Sequence, residues 1–237
     1  MDISGLQKLT LLDFPGKTAC TVFLSGCNFR CPFCHNSPLL ERDVEPETDD
    51  AGLLRFLKKR QGLLDGVAIT GGEPTLRPEL PELLRSIRAL GFLTKLDTNG
   101  CRPDVVRALI DEGLVDYIAM DVKNSPLRYA ETAGLPSVRL EPIRESLRLL
   151  LEGRVDYELR TTVAQELHDA ASFRGIGQML AELSPDRKAK RYFLQPFVDR
   201  DSVLCAGYHA PDAQALLTYR DILAPYVQEV SIRGQDI

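Results

Sequence analysis

Short apolar runs rich in β-branched residues alternate with stretches of helical period along most of this chain, and few folds accept that alternation. Strand-like runs fall at 18–24, 66–70, 92–96, 116–122, 157–163 and 192–194. Thr21-Val22-Phe23-Leu24 and Gly66-Val67-Ala68-Ile69-Thr70 are the clearest of them. Helical spacing falls between, at 50–59, 78–90, 103–112, 141–151 and 170–183, and glycines at 91, 113 and 153 stand where three of these helices should stop. Strands separated by helices predict βαβ units, hence a parallel sheet with right-handed crossovers. Six such units are too few for a closed eight-stranded barrel. The expected fold is therefore α/β, an open partial (β/α)6 barrel.

The flanks are simpler. Residues 6–17 read as a short strand and a turn at Pro15-Gly16, an edge element or hairpin leading into the first core strand. Residues 37–50, rich in Pro, Glu and Asp, read as an exposed loop, 212–223 as a terminal helix and 229–233 as a last short strand. A chain of 237 residues is long enough for one sizeable core and short for two. A single domain over 1–237 is expected, with its core at about 18–198, an N-terminal hairpin at 1–17 and a C-terminal helix and strand at 199–237.

Charge narrows the partners. A net charge of -5 offers no basic field to nucleic acid or to an anionic membrane, and Arg187-Lys188-Ala189-Lys190-Arg191 reads as a solvated junction. Residues 1–8 lack the charged-then-apolar pattern of a signal peptide, and no run approaches the roughly 20 apolar residues of a spanning helix. Neither nucleic acid nor membrane is expected, and the compartment is expected to be the cytoplasm. There cysteines stay reduced, which suits metal ligation and not disulfides.

Three of the six cysteines stand together in Cys27-Asn28-Phe29-Arg30-Cys31-Pro32-Phe33-Cys34-His35-Asn36. At this cysteine content chance supplies roughly 0.004 such triplets, so accident explains the spacing poorly. Thiolates are soft donors suited to iron and zinc, and on one loop they can converge on a single centre. Closed zinc sites and ferredoxin clusters take a fourth ligand. His35 is an awkward candidate because it adjoins Cys34, and Cys20, Cys101 and Cys205 are scattered. Cys20 sits within a strand and reads as a small buried hydrophobe. Cys27, Cys31 and Cys34 thus suit a 4Fe-4S cluster with one iron left open.

In parallel barrels the site lies at the carboxyl ends of the strands, where the loops open onto one face. Successive strand ends here carry the cysteine loop, Gly71-Gly72-Glu73-Pro74, Asp97-Thr98, Asp121 with Lys123, Arg160 and Gln195. Each has an ordinary reading as well. Gly-Gly-Glu-Pro could be only a strand-to-helix turn. Asp97 and Thr98 could cap a helix, and Asp121 and Lys123, two apart on a strand, could form a plain salt bridge. Arg160 needs either a structural carboxylate or a ligand's carboxylate. Phe33 could simply fill the core, and His168, His209, Cys101 and Cys205 read as structural.

The pattern Cys-x-x-x-Cys-x-Phe-Cys resembles the signature of the radical S-adenosylmethionine (SAM) superfamily. The longer phrase Cys-x-x-x-Cys-Pro-Phe-Cys-His-Asn is similar to that of the activating enzymes of glycyl radical enzymes. Leu11-Leu12-Asp13-Phe14-Pro15-Gly16-Lys17 resembles the branch that activates anaerobic ribonucleotide reductase. The resemblance implies an enzyme with a 4Fe-4S cluster that cleaves SAM reductively to a 5′-deoxyadenosyl radical. That radical would take hydrogen from a backbone glycine of a partner enzyme, with flavodoxin or ferredoxin as electron donor. It also implies that Gly71, Gly72 and Glu73 meet the methionine part of SAM, with Phe33 beside the adenine. Asp97, Thr98, Asp121 and Lys123 would line the nucleoside and methionine carboxylate and help hold a monovalent cation. Gln195 departs from the histidine often placed near the ribose. Two other readings stay open: a radical SAM enzyme acting on a small molecule or peptide, and a non-catalytic iron-sulfur electron carrier or zinc-binding module.

Overall fold

The structure, a computed structural model, describes residues 1–234; the last three positions of the expected 199–237 region lie outside the described residues. Its contacts divide the chain into two compact units. The first comprises Met1–Asn28, Pro38–Thr98 and Asp104–Ala119. The second comprises Phe29–Ser37, Asn99–Pro103 and the chain from Met120 on.

In the first unit the strands are β1 (Asp2–Ile3), β2 (Gly5–Thr10), β3 (Ala19–Leu24), β4 (Thr48–Asp49), β5 (Gly66–Gly71), β6 (Leu93–Thr98) and the start of β7 (Tyr117–Asp121). Helices α1 (Asp50–Lys58), α2 (Leu80–Ala89) and α3 (Pro103–Asp111) follow β4, β5 and β6. β3 pairs in parallel with β5, and β5 with β6, while β2 runs antiparallel along β3 as the edge strand. Val22, Leu24, Val67, Ile69 and Leu96 of the strands are wholly buried, as are Leu53, Leu57, Leu84 and Ile87 of the helices. Helix α1 starts where the sequence provides a cap: the Asp49 carboxylate accepts the Gly52 amide at 2.6 Å.

The Leu11–Lys17 stretch serves the opposite end of this sheet from the candidate site. Phe14 packs with Ala19, Tyr117 and Leu93 at the strands' amino ends, its ring 6.2 Å from that of Tyr117. Asp13 accepts the Thr21 hydroxyl at 2.6 Å. Two residues of the stretch are thus accounted for by packing, whereas Leu11 and Leu12 are exposed.

The second unit contains the end of β7, then α4 (Tyr129–Thr132), α5 (Leu140–Leu151), β8 (Asp156–Val163), α6 (Ala170–Leu183), β9 (Ala189–Pro196), α7 (Ala213–Leu223) and β10 (Val227–Ile232). β8 and β9 are parallel, and β10 joins β9 in parallel as the other edge. A capping box starts α6: Asp169 accepts the Ser172 amide at 2.8 Å and the Ser172 hydroxyl accepts the Asp169 amide at 3.3 Å. Glu158, fully buried on β8, is held by Arg233 at 2.7 Å to each carboxylate oxygen, which ties down the chain after β10.

The architecture is α/β with a mostly parallel sheet, open at its β2 and β10 edges and not closed as a barrel. Three local expectations are corrected. The loop at 37–50 holds a 3-10 turn at Ser37–Leu39 and the strand β4, which pairs antiparallel with β1. Asp97 and Thr98 do not follow their strand but end it, and the strand expected at 192–194 runs from Ala189 to Pro196. No helix among the described residues is long and apolar enough to cross a membrane.

Candidate active site

The first unit supplies Cys27, Gly71, Gly72, Glu73, Asp97 and Thr98. β3 ends at Leu24 and β5 at Gly71, and the two ends are laced together by main chain. The Gly72 amide donates to the Leu24 carbonyl at 2.7 Å and the Glu73 amide to the Gly26 carbonyl at 2.8 Å. Gly26 and Cys27 in turn donate to the carbonyls of Leu39 and Leu40 at 2.8 and 2.9 Å. The glycines are needed for this lacing. Gly71 has φ of +119°, and a Cβ on Gly72 would stand 2.3 Å from the Gly26 oxygen. Their visible task is to let two strand ends touch beside Cys27.

Glu73 is 1 % exposed and caps the turn Pro74–Leu76. Its Oε1 accepts from the Thr75 amide at 3.1 Å, the Thr75 hydroxyl at 2.5 Å and the Thr98 hydroxyl at 2.7 Å. Thr98, itself buried, is therefore a brace for Glu73. Asp97 lies one residue back on the other face, where the ammonium of Lys95 donates to it. Lys95 is 2 % exposed, and sequence reading passed over it. The signal was available: a lysine two residues from an aspartate on a buried strand needs that carboxylate.

The second unit supplies Cys31, Phe33, Cys34, Asp121, Lys123, Arg160 and Gln195. The Cys34 amide donates to the Cys31 carbonyl at 3.0 Å, a tight turn that Pro32-Phe33 forms. Burial raises the Cys34 thiol pKa above its ordinary value. Asp121, at the end of β7, receives Arg160 Nε at 2.5 Å on one oxygen and Lys123 Nζ at 2.8 Å on the other. Burial alone would raise its pKa, but the two cations hold it well below the usual carboxylate range. Both cations thus converge on the one carboxylate of Asp121. Gln195 lies next in the sheet, in register with Thr162 of β8.

Phe33 is buried edge-on to His168, ring centroids 6.4 Å apart. His168 Nε2 donates to the Lys123 carbonyl at 2.8 Å, and burial lowers its pKa, so the ring is neutral. His168 thus links the Phe33 turn to the Lys123 main chain, a role its position in the sequence did not reveal. His35 stacks on Phe197 at 5.5 Å and donates from Nε2 to the Val198 carbonyl at 2.6 Å. Its ring is committed to the chain after β9.

The donor chemistry fits the 4Fe-4S cluster that the sequence resemblance implies. None of the six cysteines is in a disulfide, Cys27 and Cys34 are partly exposed, and His35 is engaged elsewhere, which leaves three thiols as the local donors. Among the described residues no three His, Cys, Asp or Glu side chains gather as a ready-made metal site, so the ligand set rests on the motif. Cys20 is fully buried and its thiol pKa is pushed up to about 12 by burial, the behaviour of a core hydrophobe. Cys205 is exposed.

Known proteins resemble this chain. A provisionally named glycyl-radical enzyme activating enzyme of Methanocaldococcus jannaschii is 31 % identical over 209 residues, 84 % of this chain and 81 % of the relative. A second, also provisionally so named in that organism, is 35 % identical over 236 residues, 97 % of this chain and 82 % of the relative. A crystallised domain of a pyruvate-formate lyase-activating enzyme from Bacteroides vulgatus superimposes with a TM-score of 0.58 at 22 % identity, covering 71 % of this chain and 99 % of that one, and so shares the fold. The model of the Radical SAM superfamily matches residues 21–164, from β3 through β8, and with those relatives it shows that this chain belongs to the radical SAM superfamily.

Proposed function

We propose that this radical SAM enzyme activates a glycyl radical enzyme, anaerobic ribonucleotide reductase being the partner that the Leu11–Lys17 resemblance favours. The observation that carries the reading is the Cys27, Cys31, Cys34 triplet in a chain that spans four-fifths of two relatives provisionally named for that activity. Cys27, Cys31 and Cys34 would hold a 4Fe-4S cluster, which when bound would supply the electron for reductive cleavage of SAM and so the means of taking hydrogen from the partner's glycine. Flavodoxin or ferredoxin would be the electron donor, and a cytoplasmic location would keep the six cysteines reduced.

The chain's own residues bind, orient and shield. Lys123 and Arg160, both held by Asp121, are the cationic groups for the methionine carboxylate. Glu73, anchored by Thr75 and Thr98, is the carboxylate for the methionine ammonium, and Asp97 and Gln195 are the polar groups for the nucleoside. Phe33, packed edge-on to His168, is the neighbour of the adenine. Gly71 and Gly72 keep the Cys27 loop against β5.

Anaerobic incubation with reductant, SAM and the candidate reductase, followed by electron paramagnetic resonance, tests this. A glycyl signal that depends on all three cysteines is expected. SAM cleavage without that signal would remove the reductase as partner, and no 5′-deoxyadenosine at all would remove the activity.

A further inference from the structure

Arg160 shares its face of β8 with a second charged residue. Side chains alternate along a strand, so Glu158 projects on that same face, two residues nearer the amino end. The two lie about 6.6 Å apart along the strand, a span that an arginine side chain covers. Glu158 is 0 % exposed and has a different cation in place. Arg233 Nη2 donates to both of its carboxylate oxygens at 2.7 Å.

That cation is delivered across the sheet. Ser231 of β10 stands in register with Phe193 of β9, and Phe193 in turn with Arg160 of β8. Arg233, two residues past Ser231, falls on the same face. Its amide donates to the Leu194 carbonyl at 2.9 Å, and its guanidinium carbon stands 4.0 Å from the centre of the Phe193 ring. The ring is the bridge over which the guanidinium reaches from the edge strand to β8. Arg160, meanwhile, gives its Nε to Asp121 at 2.5 Å.

We propose that Arg233 is a positioning residue for the SAM site: by occupying Glu158 it reserves Arg160 for Asp121 and for the methionine carboxylate. Taking one member from a buried ion pair leaves the other at a high cost. Stripped of the Arg233 guanidinium, the Glu158 carboxylate draws Arg160 along β8 toward itself, and of the two cations on Asp121 only Lys123 stays in place. The edge strand thus acts on SAM binding through residues that touch no part of the ligand. The inference rests on the reading of Arg160 as a group for the methionine carboxylate.

The test titrates SAM into anaerobically reconstituted protein by calorimetry. Arg233→Met, which keeps an apolar stem over Phe193, is expected to bind SAM about tenfold more weakly, the equivalent of one charge-assisted hydrogen bond. Adding Glu158→Gln to it should return the affinity to the wild-type value, because a neutral amide does not draw the guanidinium. A clasp that only holds the fold predicts the reverse, since the second change removes a further charge and restores nothing. Arg233→Gln, which still offers Glu158 an N–H, takes the place of Arg233→Met if that variant does not fold, with the same weakening expected. Wild-type affinity in the Arg233 variant overturns the proposal, and so does a double variant as weak as the single one. Arg160→Met tells the two readings apart. If it binds SAM as wild type does, the carboxylate reading of Arg160 falls and takes this inference with it; weakening in Arg160→Met but not in the Arg233 variant overturns only the role of Arg233.

Discussion

The Thr98 hydroxyl donates to the Glu73 carboxylate at 2.7 Å, so the last residue of β6 braces the turn that follows β5. This bond ties two neighbouring strand ends in the first unit through a charged acceptor that is almost entirely buried. Whatever Glu73 does for a ligand, it first holds its own turn in place.

Glu73→Ala should therefore destabilise the protein without SAM present. It strands the Thr75 amide and the hydroxyls of Thr75 and Thr98, and hydrogen bonds to a charged acceptor are worth about 1.5–3 kcal/mol each before their mutual dependence is counted. A loss of about 3 kcal/mol by urea denaturation is expected, and about half that for Glu73→Gln, whose amide oxygen still accepts. If both variants unfold at the wild-type midpoint, the carboxylate is not the brace described.

Gly72→Ala attacks the same strand ends from the main chain. The new Cβ would stand 2.3 Å from the Gly26 oxygen and 3.1 Å from the Leu39 oxygen, and neither is the end of a flexible side chain. Backbone has to move next to Cys27, at a cost of about 1–3 kcal/mol. Iron per chain after reconstitution should fall at least several-fold, and thermal melting should shift down. Full iron loading with an unchanged melt would mean that the loop tolerates displacement.

Parallel βαβ order, helix positions and the cysteine loop were legible because each repeats a local rule: period, capping residue, spacing. Cys20 within a strand and His35 beside Cys34 were legible for the same reason, and burial and stacking account for both. What was not legible depends on pairs far apart in sequence. Glu73 with Thr98 and Lys123 with His168 are separated by loops whose closure no periodicity reports. β1 and β4, two residues each, are too short to carry any period. Helix α4, four residues long, lies below the length at which helical spacing speaks.

Acid should weaken the second unit through Asp121. Its folded pKa lies below the unfolded carboxylate value, so the unfolded chain binds the extra proton; the stabilisation is complete above about pH 4 and is lost as pH falls further. Urea midpoints measured from pH 7 to pH 3 should fall in the wild type at the acid end. Asp121→Asn should start about 2 kcal/mol lower at pH 7, because Arg160 and Lys123 are left facing each other, and should lose less below pH 4. A parallel acid limb in the two proteins would show that Asp121 does not carry this dependence.

Six single Cys→Ser variants separate ligands from bystanders. Cys27→Ser, Cys31→Ser and Cys34→Ser should each lose most of the reconstituted iron and the visible absorbance of the cluster, because three sulfur anchors leave no spare. Cys101→Ser and Cys205→Ser should keep both, and Cys20→Ser should keep iron while melting lower, since it places a hydroxyl in a fully buried strand. His35→Ala completes the series. Its ring stacks on Phe197 and donates to the Val198 carbonyl, so its removal should cost about 1 kcal/mol of stability and leave the iron content at the wild-type level. Loss of iron in His35→Ala, measured by colorimetric assay beside the cysteine variants, would make the histidine a fourth ligand and close the corner that SAM needs.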